Sequence, residues 1–149
     1  MTSDAFRPSN FTSGITKVLL VDEDAGDLRI LRLILEGQGL EVRTCTSYEA
    51  GIKHLEEEAF DFVVVSQGTQ AVEGRQVLDR AQQLDRQRPV LVVTRSIDMA
   101  CYLEAMQMGA IDYMEKPVPP ADLLRFVRAH VQLRHYNAQA GAAYGGSPD

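Results

Sequence analysis

Five polar side chains in this sequence stand at the carboxyl ends of apolar runs, where an open α/β sheet collects its chemistry. Asp22 and Glu23 follow the run Lys17 to Val21, and Ser66 ends the run that begins at Phe60-Asp61. Thr94 ends Val90 to Val93, and Lys116 follows Ala110 to Met114. Two carboxylates, two hydroxyls and one amine suit a phosphate group. Adjacent carboxylates hold a hard divalent cation, Mg2+ above all. A hydroxyl can hydrogen-bond a phosphoryl oxygen, and a lysine gives it a point charge. What the set lacks is a nucleophile. A carboxylate ending the third run could accept a phosphoryl group covalently, but a serine near neutral pH needs a general base. Asp22 or Glu23 could serve only while no cation holds them.

Each residue also has a plainer reading, and the residues alone leave both open. The acids after the first run can cap a helix and favour its positive end. Thr94 can simply finish a β-rich run. Lys116 can neutralise Asp22 and Glu23 as a structural ion pair. Ser66 makes that easier, because a third carboxylate beside one lysine would call for a cation.

The elements that must position these groups follow from periodicity. Lys17 to Val21, Leu40 to Cys45, Asp61 to Ser66, Val90 to Thr94 and Ala110 to Met114 read as strands. Between them lie helical patterns. Leu28, Leu31 and Leu35, with Ile30 and Ile34, recur at helical spacing, and Gly37 and Gly39 close that helix by left-handed capping. Ser47 caps a second helix that runs through Ile52 and Leu55 to about Glu58. Val77, Leu78, Ala81 and Leu84 form the inward stripe of a third, from roughly Gly74. A fourth covers Asp98 to Met108, with Ala100, Leu103, Ala105 and Met106 for packing. Pro120 opens a fifth, where its missing N–H costs nothing.

Strands alternating with helices demand a mostly parallel sheet with helices on both faces. Five strands fit the flavodoxin-like doubly wound (βα)5 order 2-1-3-4-5. That order centres strands 1, 3 and 4, the most apolar runs. A dinucleotide fold is the rival, but the first turn, Asp22-Glu23-Asp24-Ala25-Gly26, has no GxGxxG. The expected organisation is a flexible arm over 1–15, one domain over 16–136, and a disordered Gly- and Ala-rich tail over 137–149.

The chain has 149 residues, 45% hydrophobic and 24% charged, with a net charge of -6. This is a soluble globular composition. Its acidity argues against direct nucleic-acid binding, which needs clustered Lys and Arg. Cys45 and Cys101 have no metal-ligand spacing and read as reduced thiols. No run approaches the roughly 20 apolar residues of a membrane span, and the start is not a secretory signal. A cytoplasmic protein without membrane partners is expected.

Several motifs resemble the receiver domain of two-component response regulators. They are Val21-Asp22-Glu23-Asp24, the strand ending at Ser66, Glu73-Gly74, Thr94, and Gly109-Ala110-Ile111-Asp112-Tyr113-Met114-Glu115-Lys116-Pro117. The resemblance covers roughly residues 16–135. It implies that Asp22 and Glu23 are the Mg2+-binding acids, Thr94 the switch hydroxyl and Tyr113 the switch aromatic. It also implies that Lys116 is the invariant amine, joined to Pro117 by a bond usually cis. Three features depart from the family pattern. Ser66 stands where the phosphoacceptor aspartate belongs, Thr69-Gln70 where Met-Pro is usual, and Arg95 where a small residue follows the switch threonine.

The expected function is that of an atypical, degenerate receiver in signal transduction. It is not an enzyme, escapes the usual aspartyl phosphorylation, and acts by protein–protein contact. No cofactor is required, with weak Mg2+ binding at most. Its partners are other signalling proteins, a histidine kinase or an output protein, or a second copy. The face expected to meet them is helix 4, strand 5 and helix 5, with Met99, Tyr102, Met106, Tyr113, Phe126 and His130. Methionine and tyrosine suit such contacts. Two alternatives stay in view. One is a receiver regulated by phosphorylation at Ser66 or another acceptor. The other is a small phosphate- or nucleotide-handling enzyme, which the missing P-loop and the helical settings of His54, His130 and His135 disfavour.

Overall fold

The computed structural model describes residues 16–68 and 72–143, with side chains as far as residue 132. The arm expected over 1–15, the Thr69-Gln70 segment and residues 144–149 lie outside the described residues.

Strand and helix alternate: β1 (Lys17–Val21), α1 (Ala25–Glu36), β2 (Glu41–Cys45), α2 (Tyr48–Glu57), β3 (Phe62–Ser66), α3 (Val72–Leu84), β4 (Val90–Thr94), α4 (Met99–Gln107), β5 (Asp112–Glu115) and α5 (Pro120–Ala143). The five strands form one parallel sheet in the order β2-β1-β3-β4-β5. This is the flavodoxin-like arrangement expected from the sequence.

The central strands are buried because both faces are covered. Alternate residues of β1, β3 and β4 serve opposite cores. Val18, Leu20, Phe62, Val64, Leu91 and Val93 pack with α1 and α5 residues such as Leu31, Leu35, Leu123 and Val127. Leu19, Val21, Val63, Val65, Val90 and Val92 pack with Leu55 of α2, Val77 and Leu78 of α3 and Ala105 of α4. In β3 all five residues are buried, and each apolar side chain so placed stabilises the fold by about 1.5–3 kcal/mol.

Some sequence expectations need correction. Gly37 is right-handed, with φ of -61°. The left-handed residue is Gly39, with φ of 85°. Ile30, Leu84 and Leu103 face solvent, at 59%, 41% and 51% exposure. A full helical stripe is therefore wider than the face each helix buries. α5 continues to Ala143, past the start of the tail expected at 137. Ala138, Ala140, Ala142 and Ala143 are strong helix formers, and no proline follows Pro120 before Pro148.

Candidate functional site

The sheet register gathers the chemistry-bearing residues. Val21 lies beside both Cys45 and Val65, Ser66 beside Val93, and Thr94 beside Glu115. Pairing runs one residue beyond the strands. The backbone N–H groups of Asp22, Gln67 and Lys116 donate to the carbonyls of Cys45, Val93 and Thr94 at 3.2, 2.8 and 2.7 Å. Asp22, Glu23, Ser66, Thr94, Arg95 and Lys116 then line one open depression of about 500 Å³, together with Asp24, Gln67, Gly68 and Ser96. The structure thus brings together the groups picked out at the strand ends. Pro117 follows Lys116 through a cis peptide bond.

Within the depression the charges pair with one another. The Lys116 ammonium donates to Asp22 Oδ2 at 2.6 Å and to Asp27 Oδ2 at 2.9 Å. The side chains of Lys116 and Asp22 are only 10% and 3% exposed. Arg95 Nη2 donates to Asp24 Oδ2 at 2.6 Å and to Asp27 Oδ2 at 2.8 Å. Asp27 Oδ2 is therefore shared by both cations. The structural ion-pair reading of Lys116 holds for Asp22, but its second carboxylate is Asp27 rather than Glu23. The capping reading holds for Asp24, whose Oδ1 accepts the N–H of Asp27 at 3.0 Å as the α1 N-cap. That bond first, and Arg95 after it, hold the Asp24 carboxyl below its usual range. Asp22 Oδ1 accepts the Asp24 N–H at 2.9 Å, tying the acidic loop to itself.

The hydroxyls are also engaged. Ser66 is 5% exposed, and its Oγ accepts the Gly68 N–H at 3.4 Å. Thr94 Oγ1 donates to the Ser96 carbonyl at 3.0 Å and accepts the Ser96 N–H at 3.2 Å. Tyr48, at the start of α2, hydrogen-bonds Ser66 and donates to Glu23 Oε1 at 3.4 Å. Burial first, then the charges of Glu23, Asp22 and Glu73, push the Tyr48 phenol up to about 12, against the lowering effect of Ser66. It therefore stays protonated and able to donate.

A cation entering here would meet Asp22 and Glu23, the first already paired with Lys116. Among the described residues no group of three or more His, Cys, Asp or Glu side chains is arranged to hold a metal. Ser66 contributes a hydroxyl in place of a further carboxylate, so the acids lining the depression are Asp22, Glu23 and Asp24.

Tyr113 turns inward, 6% exposed. Its hydroxyl donates to Gln67 Oε1 and accepts the Asp98 N–H. Tyr102 meets its ring edge-on at 5.7 Å. Tyr113 therefore backs the expected contact face instead of lying on it. Phe126 packs edge-on against Phe62 at 6.4 Å and tilts against His130 at 4.2 Å. Met99 is 65% exposed, and the apolar surface around it comes from Ile97 and Leu103. Tyr102, Met106 and His130 are half-buried.

Sequence reasoning did not find Asp27, Tyr48, Gln67 or Ser96. Charge offered a signal for Asp27, because Asp22, Asp24 and Asp27 crowd a short segment that needs more than one cation. The others depend on side-chain directions that no periodicity encodes.

Similarity to known proteins agrees with this geometry. The chain is 30% identical over 101 residues to the transcriptional regulatory protein ZraR of Escherichia coli K12, covering 68% of this chain and 23% of that protein. It is 29% identical over 126 residues to the alginate biosynthesis transcriptional regulatory protein AlgB of Pseudomonas aeruginosa, covering 85% and 28%. The chain thus spans about a quarter of the length of these curated relatives. The crystal structure of a CheY-like response regulator receiver domain protein from Methanospirillum hungatei superposes with a TM-score of 0.79 at 26% identity, over 83% of this chain and 99% of that one. Residues 18–128 match the response regulator receiver domain model. The chain belongs to the response regulator receiver domain family, whose members are signalling modules of two-component systems and not enzymes.

Proposed function

We propose that this domain is a pseudo-receiver: it signals through protein contacts and not through a phosphoryl group on its third strand. The observation that carries the reading is Ser66 at the end of β3, in the same depression as Asp22, Thr94 and Lys116. No carboxylate stands there to form an acyl phosphate. Both acids that could activate the serine are engaged: Lys116 holds Asp22 at 2.6 Å, and Glu23 accepts the Tyr48 hydroxyl at 3.4 Å. Lys116 and Arg95 pair with Asp22, Asp24 and Asp27, so the acidic loop is partly neutralised from within. Mg2+ binding is weak for the same reason.

The surface offered to partners is α4, β5 and α5. Ile97, Met99 and Leu103 give it exposed apolar area, and methionine adapts to irregular contacts. A second copy of the chain or another signalling protein occupies this face. Phosphorylation of Ser66 by a kinase is the weaker reading, because the side chain is 5% exposed. Among the described residues no helix is long and apolar enough to cross a membrane.

The test is intact mass after incubation with acetyl phosphate and Mg2+. The native chain is expected to keep its mass, and Ser66→Asp to gain one phosphoryl group. A stoichiometric adduct on the native chain that disappears in Ser66→Ala would overturn the proposal.

A further inference from the structure

α4 has the weakest apolar anchorage on its side of the sheet. Of its nine residues only Ala105 is buried, while Met99 and Leu103 stand in solvent. A helix of this length does not sustain itself, since isolated helices below about 12–15 residues are marginal in water. Polar and aromatic contacts must therefore help to fix it. Arg75 of α3 pairs with Glu104. Tyr102 packs edge-on against Tyr113, with ring planes at 67°. The N–H of Asp98, the α4 N-cap, donates to the Tyr113 hydroxyl at 3.4 Å.

The Tyr113 hydroxyl in turn donates to the side-chain carbonyl of Gln67. Gln67 is itself fixed by its backbone. Its N–H donates to Val93 at 2.8 Å, and its carbonyl accepts from Gly74 at 3.2 Å. A hydrogen-bonded chain thus runs from the end of β3, through β5, to the N-cap of α4. It begins beside Ser66 but uses no atom of the Ser66 side chain.

We infer that Gln67 is a positioning residue, whose side-chain carbonyl holds Tyr113 inward and through it sets where α4 begins. The α4–β5 surface is then kept in one arrangement with nothing attached to Ser66. This rests on the reading above that the α4–β5–α5 face is what the domain offers to partners. The physical reason is the cost of a buried phenol without an acceptor. If Gln67 is removed, the Tyr113 hydroxyl keeps the Asp98 N–H and the neighbouring Thr94 side chain but loses the acceptor that draws it inward. It must then turn its proton to Thr94, which already donates to Ser96, or swing toward water. Swinging out takes the ring from beneath Tyr102 and frees the first turn of α4. Burial raises the Tyr113 pKa, so the proton that makes the bond persists through the neutral range.

Amide hydrogen exchange on the isolated chain tests this. Gln67→Met keeps the length and removes the acceptor. Tyr113→Phe removes one oxygen and leaves the ring. Each is expected to speed exchange over residues 98–103 about tenfold, which is what one ordinary hydrogen bond is worth in a local opening. The strands and α1 should keep their protection. The double variant should exchange no faster than either single one, and Gln67→Glu, which restores an acceptor oxygen, should restore protection. Unchanged α4 exchange in both single variants would overturn the inference, as would additive effects in the double variant. Should Gln67→Met not fold, Tyr113→Phe carries the same test. The outcome is independent of the phosphodonor assay. Faster α4 exchange together with a phosphorylated native chain would keep Gln67 in its role and remove the pseudo-receiver reading.

Discussion

Replacing Lys116 by methionine keeps most of the apolar stem and deletes the ammonium. The loss can be worked from the pair it breaks. Lys116 Nζ lies 2.6 Å from Asp22 Oδ2, with side chains 10% and 3% exposed. Removing one partner of a buried ion pair costs about 3–5 kcal/mol, because the other charge is left without compensation. Two features favour the lower end. Asp22 Oδ1 still accepts the Asp24 N–H at 2.9 Å, and Asp27 keeps Arg95 at 2.8 Å when Lys116 goes. The expected loss is therefore about 3 kcal/mol. For a chain of 149 residues this lowers Tm by about 10 °C. Urea unfolding should show a lower midpoint with an unchanged slope. Adding Asp22→Asn to Lys116→Met removes the stranded charge and should recover about 2 kcal/mol. A loss below about 1 kcal/mol, or no recovery in the double variant, would refute the claim that this buried pair holds the site together.

Two further outcomes concern other parts of the fold. Lys17 foremost, at 2.9 Å, then Arg43 at 3.1 Å and His54 at 3.2 Å, hold the Glu58 carboxyl down to about 2 from 4.5, against an opposing effect of desolvation. A depressed folded pKa contributes stability that is complete above the unfolded value and lost as pH falls from about 4.5 toward 2. Urea midpoints across that window should therefore fall more steeply for the native chain than for Glu58→Gln. In Gly74→Ala the new Cβ would lie 2.3 Å from the Ser66 carbonyl oxygen and 2.9 Å from Gln67 Cα. Both are backbone atoms and cannot step aside as a side chain would. The substitution should cost about 3 kcal/mol, at the upper end of ordinary overpacking, and shift the thermal melt accordingly.

The fold was legible because burial on two faces leaves a plain trace. β1, β3 and β4 are nearly unbroken apolar runs, and only a central position in a parallel sheet needs that. The strand order then followed from the common five-stranded doubly wound pattern, which is why the strand-end residues could be grouped from sequence. The errors share one cause. Apolar residues at helical spacing mark the faces a helix can bury, not the faces its neighbours cover. Ile30 and Leu103 fit the pattern and still stand 59% and 51% exposed. The extent of α5 was missed for a different reason. Alanine-rich sequence with Gly141 reads as loose by composition, yet its intrinsic preference is helical up to Ala143.

The site was legible as a set of residues but not as a network. Topology placed Asp22, Ser66, Thr94 and Lys116 together, because each leaves a strand of the same sheet. It could not say which carboxylate each cation would choose. Glu23 and Asp27 lie four residues apart, and either could have faced Lys116. The outcome turns on α1, whose first turn carries Asp27 toward both Lys116 and Arg95. This also gives Arg95 a physical role beyond solvation. A carboxylate at position 66 would leave the cluster with an excess of negative charge that an external cation would have to offset. With Ser66 in place, Lys116 and Arg95 can divide Asp22, Asp24 and Asp27 between them. The substitutions at 66 and 95 are therefore two parts of one electrostatic solution. The serine removes a negative charge from the centre of the depression, and the arginine supplies a positive one at its rim. Two cations against Asp22, Glu23, Asp24 and Asp27 still leave an acidic excess, smaller than a carboxylate at 66 would leave, and under the reading proposed above the domain communicates by the packed route through Gln67 and Tyr113 to α4.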